Sequence, residues 1–66
     1  MAYRETDIIR EGARHFIIRR AIGRYEVLRH AGTHSVVCGS ISFPGDDAKA
    51  LTYANRDFDR REAGNA

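Results

Sequence analysis

The stretch that decides the fold is Arg24-Tyr25-Glu26-Val27-Leu28-Arg29-His30. Tyr25 and Val27 are aromatic and β-branched residues at alternate positions, a pattern typical of a strand rather than a helix. Gly23 precedes the stretch and Gly32 follows it, at the spacing of two tight turns. We therefore predict that residues 24–30 form the central strand of a small antiparallel sheet.

Apolar residues on both sides of this stretch predict its two neighbouring strands. Phe16-Ile17-Ile18 precedes it, and Val36, Val37 and Ile41 follow it. The prediction is a three-stranded antiparallel meander over about residues 14–20, 24–30 and 34–41. A carboxy-terminal helix completes an α+β fold.

The lengths of the two turns determine which residues pair. With two-residue loops at Ile22-Gly23 and Gly32-Thr33, Ile18 pairs with Val27, Ile17 with Leu28, Val27 with Cys38 and Leu28 with Val37. The predicted core face then carries Phe16, Ile18, Tyr25, Val27, Val36 and Cys38. The opposite face carries Ile17, Arg19, Arg24, Glu26, Leu28, His30, Val37 and Gly39. A slip of one residue in either turn would exchange the faces.

The helix is predicted over about residues 46–61. Pro44 and Gly45 end the sheet, because proline cannot donate to a strand ladder and glycine permits a sharp turn. Asp46 or Asp47 supplies the amino-terminal cap. Leu51, Ala54 and Phe58 recur at helical spacing, so this stripe is expected to cover the sheet.

The 66 residues make one domain, with residues 1–5 and 62–66 expected to be flexible. Thr6 to Gly12 fits either a single helical turn or an extended lead-in. A chain this short buries only about 60% of its unfolded surface, and its one cysteine, Cys38, rules out an internal disulfide. Self-association is then the simplest source of further burial. We expect a soluble cytoplasmic protein, since we see no signal peptide or membrane-spanning run.

The residue types found in catalytic and metal sites are present without the spacing that such sites need. His34 and Cys38 lie four residues apart, about 13 Å along a strand, so they cannot share one ion. Cys38 on the core face would behave as a small hydrophobe. No glycine-rich phosphate loop occurs, and the aspartates fit helix caps and a solvated helix face. We expect neither catalysis nor a metal or other cofactor.

Basic residues are concentrated in the first hairpin, which favours nucleic-acid binding. Residues 14–34 hold five arginines against Glu26 alone, a net charge of +4. Guanidinium groups on a curved sheet can contact phosphates and base edges of DNA. The alternative is that Arg19 pairs with Glu26 and the other arginines are ordinary surface cations. The predicted nucleic-acid-binding residues are Arg14, Arg19, Arg20, Arg24, Arg29 and His30.

An aliphatic row on the same predicted face favours a different function. In the predicted register Ile17, Leu28 and Val37 are aligned and exposed, and such rows are usually covered. Ile8 and Ile9 of the same chain could cover them, and so could a two-fold partner. The alternative prediction is therefore a homodimer or protein-interaction module that buries these three side chains.

The layout over residues 14–60 resembles the DNA-binding domain of plant ethylene-response factors and the arm-binding domain of phage integrases. The matching residues are Gly23, Tyr25, Val27, Gly39, Ala50, Tyr53 and Ala54. That resemblance implies DNA reading by arginines on the sheet, although this chain lacks the tryptophans typical of the plant domain. The layout also resembles small bacterial domains with a glycine, aromatic-x-Val strand and an alanine-rich helix, which imply no function.

Overall fold

The computed structural model describes residues 4–64. Four strands form one antiparallel sheet in chain order, and one helix lies across one of its faces. After a 3-10 turn at Glu5–Asp7, the elements are β1 (Ile8–Glu11), β2 (His15–Ala21), β3 (Arg24–Ala31), β4 (His34–Ser42) and α1 (Asp47–Gly64). The predicted α+β class is confirmed.

The predicted number of strands is wrong, because β1 adds a fourth. It pairs with β2, placing Ile8 opposite Ile18 and Glu11 opposite Phe16. Of the two alternatives for this segment, the extended one is correct for Ile8–Glu11. Four residues are too few to display a strand's alternation, so no clear signal for β1 is present in the sequence.

Both hairpin turns have the predicted length. Ala21 pairs with Arg24, and Ala31 pairs with His34, which leaves two residues in each loop. Gly23 and Gly32 adopt positive φ angles of 78° and 72°. Such angles are natural for glycine and match the twist of a tight hairpin.

The predicted register of the first hairpin is wrong by one residue. A bulge at Arg20 separates the Ala21–Arg24 pair from the Arg19–Tyr25 pair. Beyond the bulge Ile17, and not Ile18, lies opposite Val27. Because strand side chains alternate between faces, the extra residue exchanges the two faces of β2.

The second hairpin follows the prediction until a bulge at Cys38. Leu28 pairs with Val37 as predicted, but Val27 pairs with Gly39 instead of Cys38. The face of β3 that carries Tyr25 and Val27 is correct.

The sheet separates two apolar clusters. The cluster beneath the helix contains Ile17, Tyr25, Val27, Ala50, Ala54 and Phe58, with Leu51, Ile41 and Phe43 beside it. The cluster on the opposite face contains Phe16, Ile18 and Leu28, against which Ile8 packs. Three residues predicted for the core face are therefore misplaced: Phe16 and Ile18 lie on the opposite face, and Cys38 sits half-buried in a bulge. Val36 pairs with Arg29 on the helix side of the sheet, but it is exposed.

The helix begins as predicted and ends three residues later. Asp46 is the cap, since its Oδ1 accepts a hydrogen bond from the backbone N–H of Lys49 at 3.0 Å. The predicted stripe is confirmed, with Ala54 and Phe58 buried and Leu51 partly buried. Glu62 was predicted to lie in a flexible end, yet it belongs to α1. Residues 1–3 and 65–66, which were also predicted to be flexible, lie outside the described residues.

Two carboxylates attach the helix ends to the sheet. Asp47 Oδ1 accepts hydrogen bonds from the Gly23 N–H at 2.7 Å and the Tyr25 hydroxyl at 2.9 Å. Glu62 accepts the backbone N–H groups of Ala13, Arg14 and His15, the last two through Oε2 at 2.8 and 2.5 Å. These backbone donors, led by Gly23 and by Arg14 respectively, hold the pKa of each carboxyl below its usual range.

Candidate functional site

The residues predicted to bind nucleic acid do not share one surface. Arg20, Arg24 and His30 lie on the sheet face opposite the helix. Arg20 is paired with Glu26 at 2.9 Å, and the His30 ring stacks on Phe16 with centroids 4.7 Å apart. Two of these three side chains are therefore already engaged in contacts within the chain.

The other three predicted residues lie towards the helix side. Arg19 pairs with Tyr25, near the start of the helix. Arg14 and Arg29 lie at the opposite end, where they line a groove of about 440 Å³ together with Arg60 and Arg61. We call this four-arginine cavity the end groove. The bulge at Arg20 accounts for the position of Arg19, because it moves this side chain from the predicted face to the helix side.

The three predicted interface residues are also divided between the two faces. Ile17 is 0% exposed beneath the helix, and Leu28 is 3% exposed in the opposite cluster. Val37 alone is open, at 49%. The aligned row of three exposed aliphatic side chains therefore does not exist, although Ile8 packs against the Leu28 cluster as one alternative anticipated.

Of the two edge strands among the described residues, β1 and β4, the longer is β4, and one of its edges has no neighbouring strand. In the sheet order β1-β2-β3-β4, β4 has a strand neighbour on one side only within residues 4–64. Its nine residues, His34–Ser42, include no Lys, Arg, Asp, Glu or Pro. Those residue types are the usual means by which proteins block an exposed edge, and only the bulge at Cys38 acts in this way here.

The hydrogen-bond ladder shows which backbone groups of β4 face outward. The Phe43 N–H donates to the Gly23 carbonyl at 2.8 Å, so Phe43 faces β3. Alternation along an antiparallel ladder then turns the N–H and C=O groups of Ser42 and Ser40 away from β3. Beyond the bulge, the His30 N–H donates to the Arg14 carbonyl at 2.9 Å, so the backbone groups of His30 and, by alternation, of Leu28 face β2. Val37, the partner of Leu28, therefore also directs its backbone groups away from β3.

A second groove, of about 500 Å³, runs between β4 and the helix. We call it the edge groove; its lining includes Gly39, Ile41, Tyr53, Arg56, Arg60 and Arg61. Gly39 makes room for it, because a Cβ atom there would lie 2.8 Å from the Asp57 carboxylate and 3.1 Å from Arg61 Nη2. The sheet therefore approaches the charged side of the helix closely.

One carboxylate orients two arginines of the edge groove. Asp57 forms ion pairs with Arg60 and, at 2.8 Å, with Arg61. Arg61 also donates to the Cys38 carbonyl at 3.0 Å, and its hydrogen bond to Asp57 raises its pKa. Arg56 lies over the Tyr53 ring at 5.4 Å and has no carboxylate partner among residues 4–64. Three arginines against one aspartate leave the groove with a net charge of +2.

Cys38 and the histidines are not gathered into a metal site. Across residues 4–64, no group of three His, Cys, Asp or Glu side chains is placed to hold a metal ion. The nearest approach to such chemistry is the His15–Glu62 pair, with Nδ1 and Oε2 3.0 Å apart. That pair joins the start of β2 to the helix.

Sequence reasoning missed the edge groove and three of its arginines. None of Arg56, Arg60 and Arg61 is among the predicted binding residues. One available signal was the absence of ionised residues throughout β4, which marks an edge that nothing in the strand itself protects.

No protein-family model matches this chain, and no curated protein or solved structure matches it either. The resemblance to the plant and phage DNA-binding domains therefore stays a prediction.

Within the described part of the chain, no helix has the length and apolar character needed to cross a membrane.

Proposed function

We propose that the protein is a non-enzymatic interaction module that binds an extended segment of another protein as a fifth strand beside β4. The observation that carries this proposal is the free edge of β4, whose outward backbone groups belong to Val37, Ser40 and Ser42. A segment added there gains main-chain hydrogen bonds, as in other cases of strand addition.

The position of the bulge limits where strand addition occurs. Cys38 interrupts the regular ladder, so the continuous section beside the edge groove is residues 39–42. This section offers two outward residues, Ser40 and Ser42, and a partner of about four paired residues fits it. Val37 provides exposed apolar surface beyond the bulge.

Nuclear magnetic resonance tests the proposal directly. The labelled protein is titrated with a capped eight-residue peptide of alternating valine and serine. We expect the amide signals of Ser40 and Ser42 to shift and to exchange more slowly with solvent, while those of β1, at the other edge, stay unchanged. Shifts confined to other elements would contradict strand addition at β4.

Substitutions at one position provide the matched control. Ser40→Pro removes the outward N–H and places a ring on the binding edge, whereas proline remains compatible with an edge strand. We expect Ser40→Pro to abolish peptide binding and Ser40→Ala to retain it. Equal binding by the two variants would overturn the proposal.

The end groove favours nucleic-acid binding as a second candidate function. Arg14, Arg29, Arg60 and Arg61 converge on this cavity from a loop, a strand and the helix. Convergent guanidinium groups suit the phosphates of a nucleic acid.

A salt titration with duplex and single-stranded DNA tests this second function. We expect affinity to fall steeply between about 50 and 200 mM salt. Arg14→Ala with Arg29→Ala should weaken binding, whereas Arg24→Ala on the opposite sheet face should not. No binding at about 50 mM salt would remove this function.

A further inference from the structure

We propose that the segment received by the edge groove is acidic, with carboxylates at alternate positions that meet Arg56 and Arg60. This inference rests on the proposed addition of a strand at β4 and specifies the chemistry of the partner. The free edge alone would accept any extended chain. The charge of the edge groove is therefore what selects an acidic partner segment over a neutral or basic one.

Strand alternation determines which side chains of the partner enter the groove. Ser40 pairs with Glu26 and Ser42 with Arg24, so their side chains lie on the face away from the helix. Gly39 and Ile41 pair with Val27 and Tyr25, on the helix side. Partner residues opposite Gly39 and Ile41 therefore project towards the helix, while their neighbours project to the other face.

The spacing of the helix arginines matches the spacing of those partner residues. The helix runs antiparallel to β4: the Tyr53 ring lies 5.0 Å from that of Phe43, and Arg61 contacts Cys38. Four residues of helix advance about 6 Å, the separation of Arg56 from Arg60 along the axis. Two residues of a strand advance about 6.8 Å. Alternate carboxylates on the partner thus reach successive arginines.

The ion pairs already present leave these arginines able to bind a further anion. Asp57 is shared between Arg60 and Arg61, so one carboxylate serves two guanidinium groups. Arg56 contacts an aromatic ring and no carboxylate within residues 4–64. An incoming carboxylate would complete the pairing of both helix arginines.

Charge disfavours a second copy of this chain as the occupant. Antiparallel pairing of two β4 strands would place both helices on the same face of one continuous sheet. The two β3 strands, over which the helices lie, would be about 14 Å apart, or three strand spacings. Side chains fill much of that distance, so Arg56 and Arg60 of each copy would face the same arginines of the other. Repulsion at this range is only partly screened by physiological salt.

The experiment compares capped eight-residue peptides in which valine alternates with glutamate, serine or lysine. Binding is measured by the amide shifts of β4 and α1 at two salt concentrations. We expect the glutamate peptide to bind about tenfold more tightly than the lysine peptide, with the difference shrinking in high salt. Arg56→Glu should remove most of the preference, and Arg60→Gln should reduce it. Arg4→Glu, a matched charge change near the other sheet edge, should leave it intact.

Backbone methylation separates this inference from the proposed function. Methyl groups on the valine nitrogens of the glutamate peptide block its hydrogen bonds to β4, whereas methyl groups on the glutamate nitrogens face away. Weaker binding of the first peptide alone supports strand addition. Equal binding of both would overturn strand addition even if the charge preference persisted.

The remaining outcomes concern the identity of the occupant. Equal binding of the three unmethylated peptides at β4 would overturn the acidic preference and leave strand addition standing. A concentration-dependent dimer whose Ser40 and Ser42 amides are protected would make a second copy the occupant and overturn the inference. Shifts of β4 and α1 with DNA, in the absence of any peptide binding, would overturn it as well.

Discussion

At the scale of single residues, the first hairpin and the start of the helix meet at Gly23. Its N–H donates to Asp47 and its carbonyl accepts from Phe43, so neither backbone group is spare. Its φ of 78° lies in the left-handed region, which disfavours residues with a Cβ atom. A Cβ atom at this position would also lie 2.5 Å from the Phe43 carbonyl oxygen.

Gly23→Ala should therefore be far more damaging than the same change at Gly32. Both glycines have a positive φ, which costs alanine about 1–2 kcal/mol. Only Gly23 adds an overlap with backbone, whereas nothing lies within 4 Å of the position for a Cβ at Gly32. We expect the free energy of unfolding to fall by about 2–4 kcal/mol for Gly23→Ala and by about 1–2 kcal/mol for Gly32→Ala. Urea denaturation measures both, and equal losses would contradict the close approach of Phe43.

The bulged register makes a second prediction at this scale. Ile17→Val removes one methylene group from a fully buried site, and we expect a loss of about 0.5–1.5 kcal/mol in the free energy of unfolding. Val37→Ala acts on an exposed side chain and should cost less than about 0.5 kcal/mol. The same denaturation experiment compares them. Equal small losses at the two positions would favour the regular register without the bulge, in which both side chains lie on the exposed face.

At the scale of elements, the helix depends on contacts at both ends with residues distant in sequence. Glu62 receives three backbone N–H groups from the β1–β2 loop and the first residue of β2, 47 to 49 residues away. Those contacts explain why the helix continues beyond the predicted end at residue 61. They also make the attachment of that end depend on the ionisation of one carboxyl.

Acid should weaken this attachment. The pKa of Glu62 is lower in the folded protein than its usual value near 4.3. The resulting stabilisation is fully present above that usual value and is lost as pH falls through the folded pKa. We expect Glu62→Gln to lower the free energy of unfolding at pH 7. The difference in this free energy between the variant and the wild type should become smaller as pH falls from about 5 to 3. Urea denaturation at several pH values measures this, and a constant difference would contradict it.

How far the sequence predicts each element depends on whether its signal is local. The glycines at 23 and 32 specify the turns, and the apolar stripe of the helix specifies its buried face. The bulges at Arg20 and Cys38 have no local signal, because Phe16-Ile17-Ile18 is apolar on both faces and suits either register. The grooves depend on these bulges and on the docking of the helix. The sequence therefore shows which arginines are present but does not show which of them lie together.

At the scale of the whole molecule, the cationic side chains are unevenly distributed and several of them lie beside the free edge of β4. The net charge of the chain is only +2, yet Arg56, Arg60 and Arg61 all line the edge groove. A symmetric pairing of two edges would bring six arginines together with two aspartates. We therefore expect the edge to favour a partner of opposite charge over a second copy of this chain.

The free protein should accordingly be monomeric at about 100 µM in low salt. Arg56→Glu should raise any tendency to dimerise, because the new carboxylate can pair with Arg60 of the second copy. Sedimentation velocity or light scattering reports both masses. A dimeric wild-type protein that Arg56→Glu dissociates would contradict this account.

A substitution at Leu28 provides a further check on the whole molecule. Leu28 is buried among Phe16 and Ile18, so Leu28→Glu should place a charge in an apolar cluster and unfold the monomer. Loss of circular dichroism signal would show this. The opposite outcome is a dimeric wild-type protein and a folded, monomeric Leu28→Glu variant. That outcome would support the predicted interface between two copies and contradict the burial of Leu28 within one chain.

The bulge at Arg20 also has a consequence for the folding pathway. Without it, β2 would pair with β3 in a register that buries Phe16 and Ile18 under the helix and Ile17 on the other face. Because all three residues are large and apolar, that misregistered hairpin also buries hydrophobic surface and competes with the native state. Deleting Arg20 would make the competing register the regular one. We expect the wild-type chain to show a slow refolding phase that corresponds to escape from this trap.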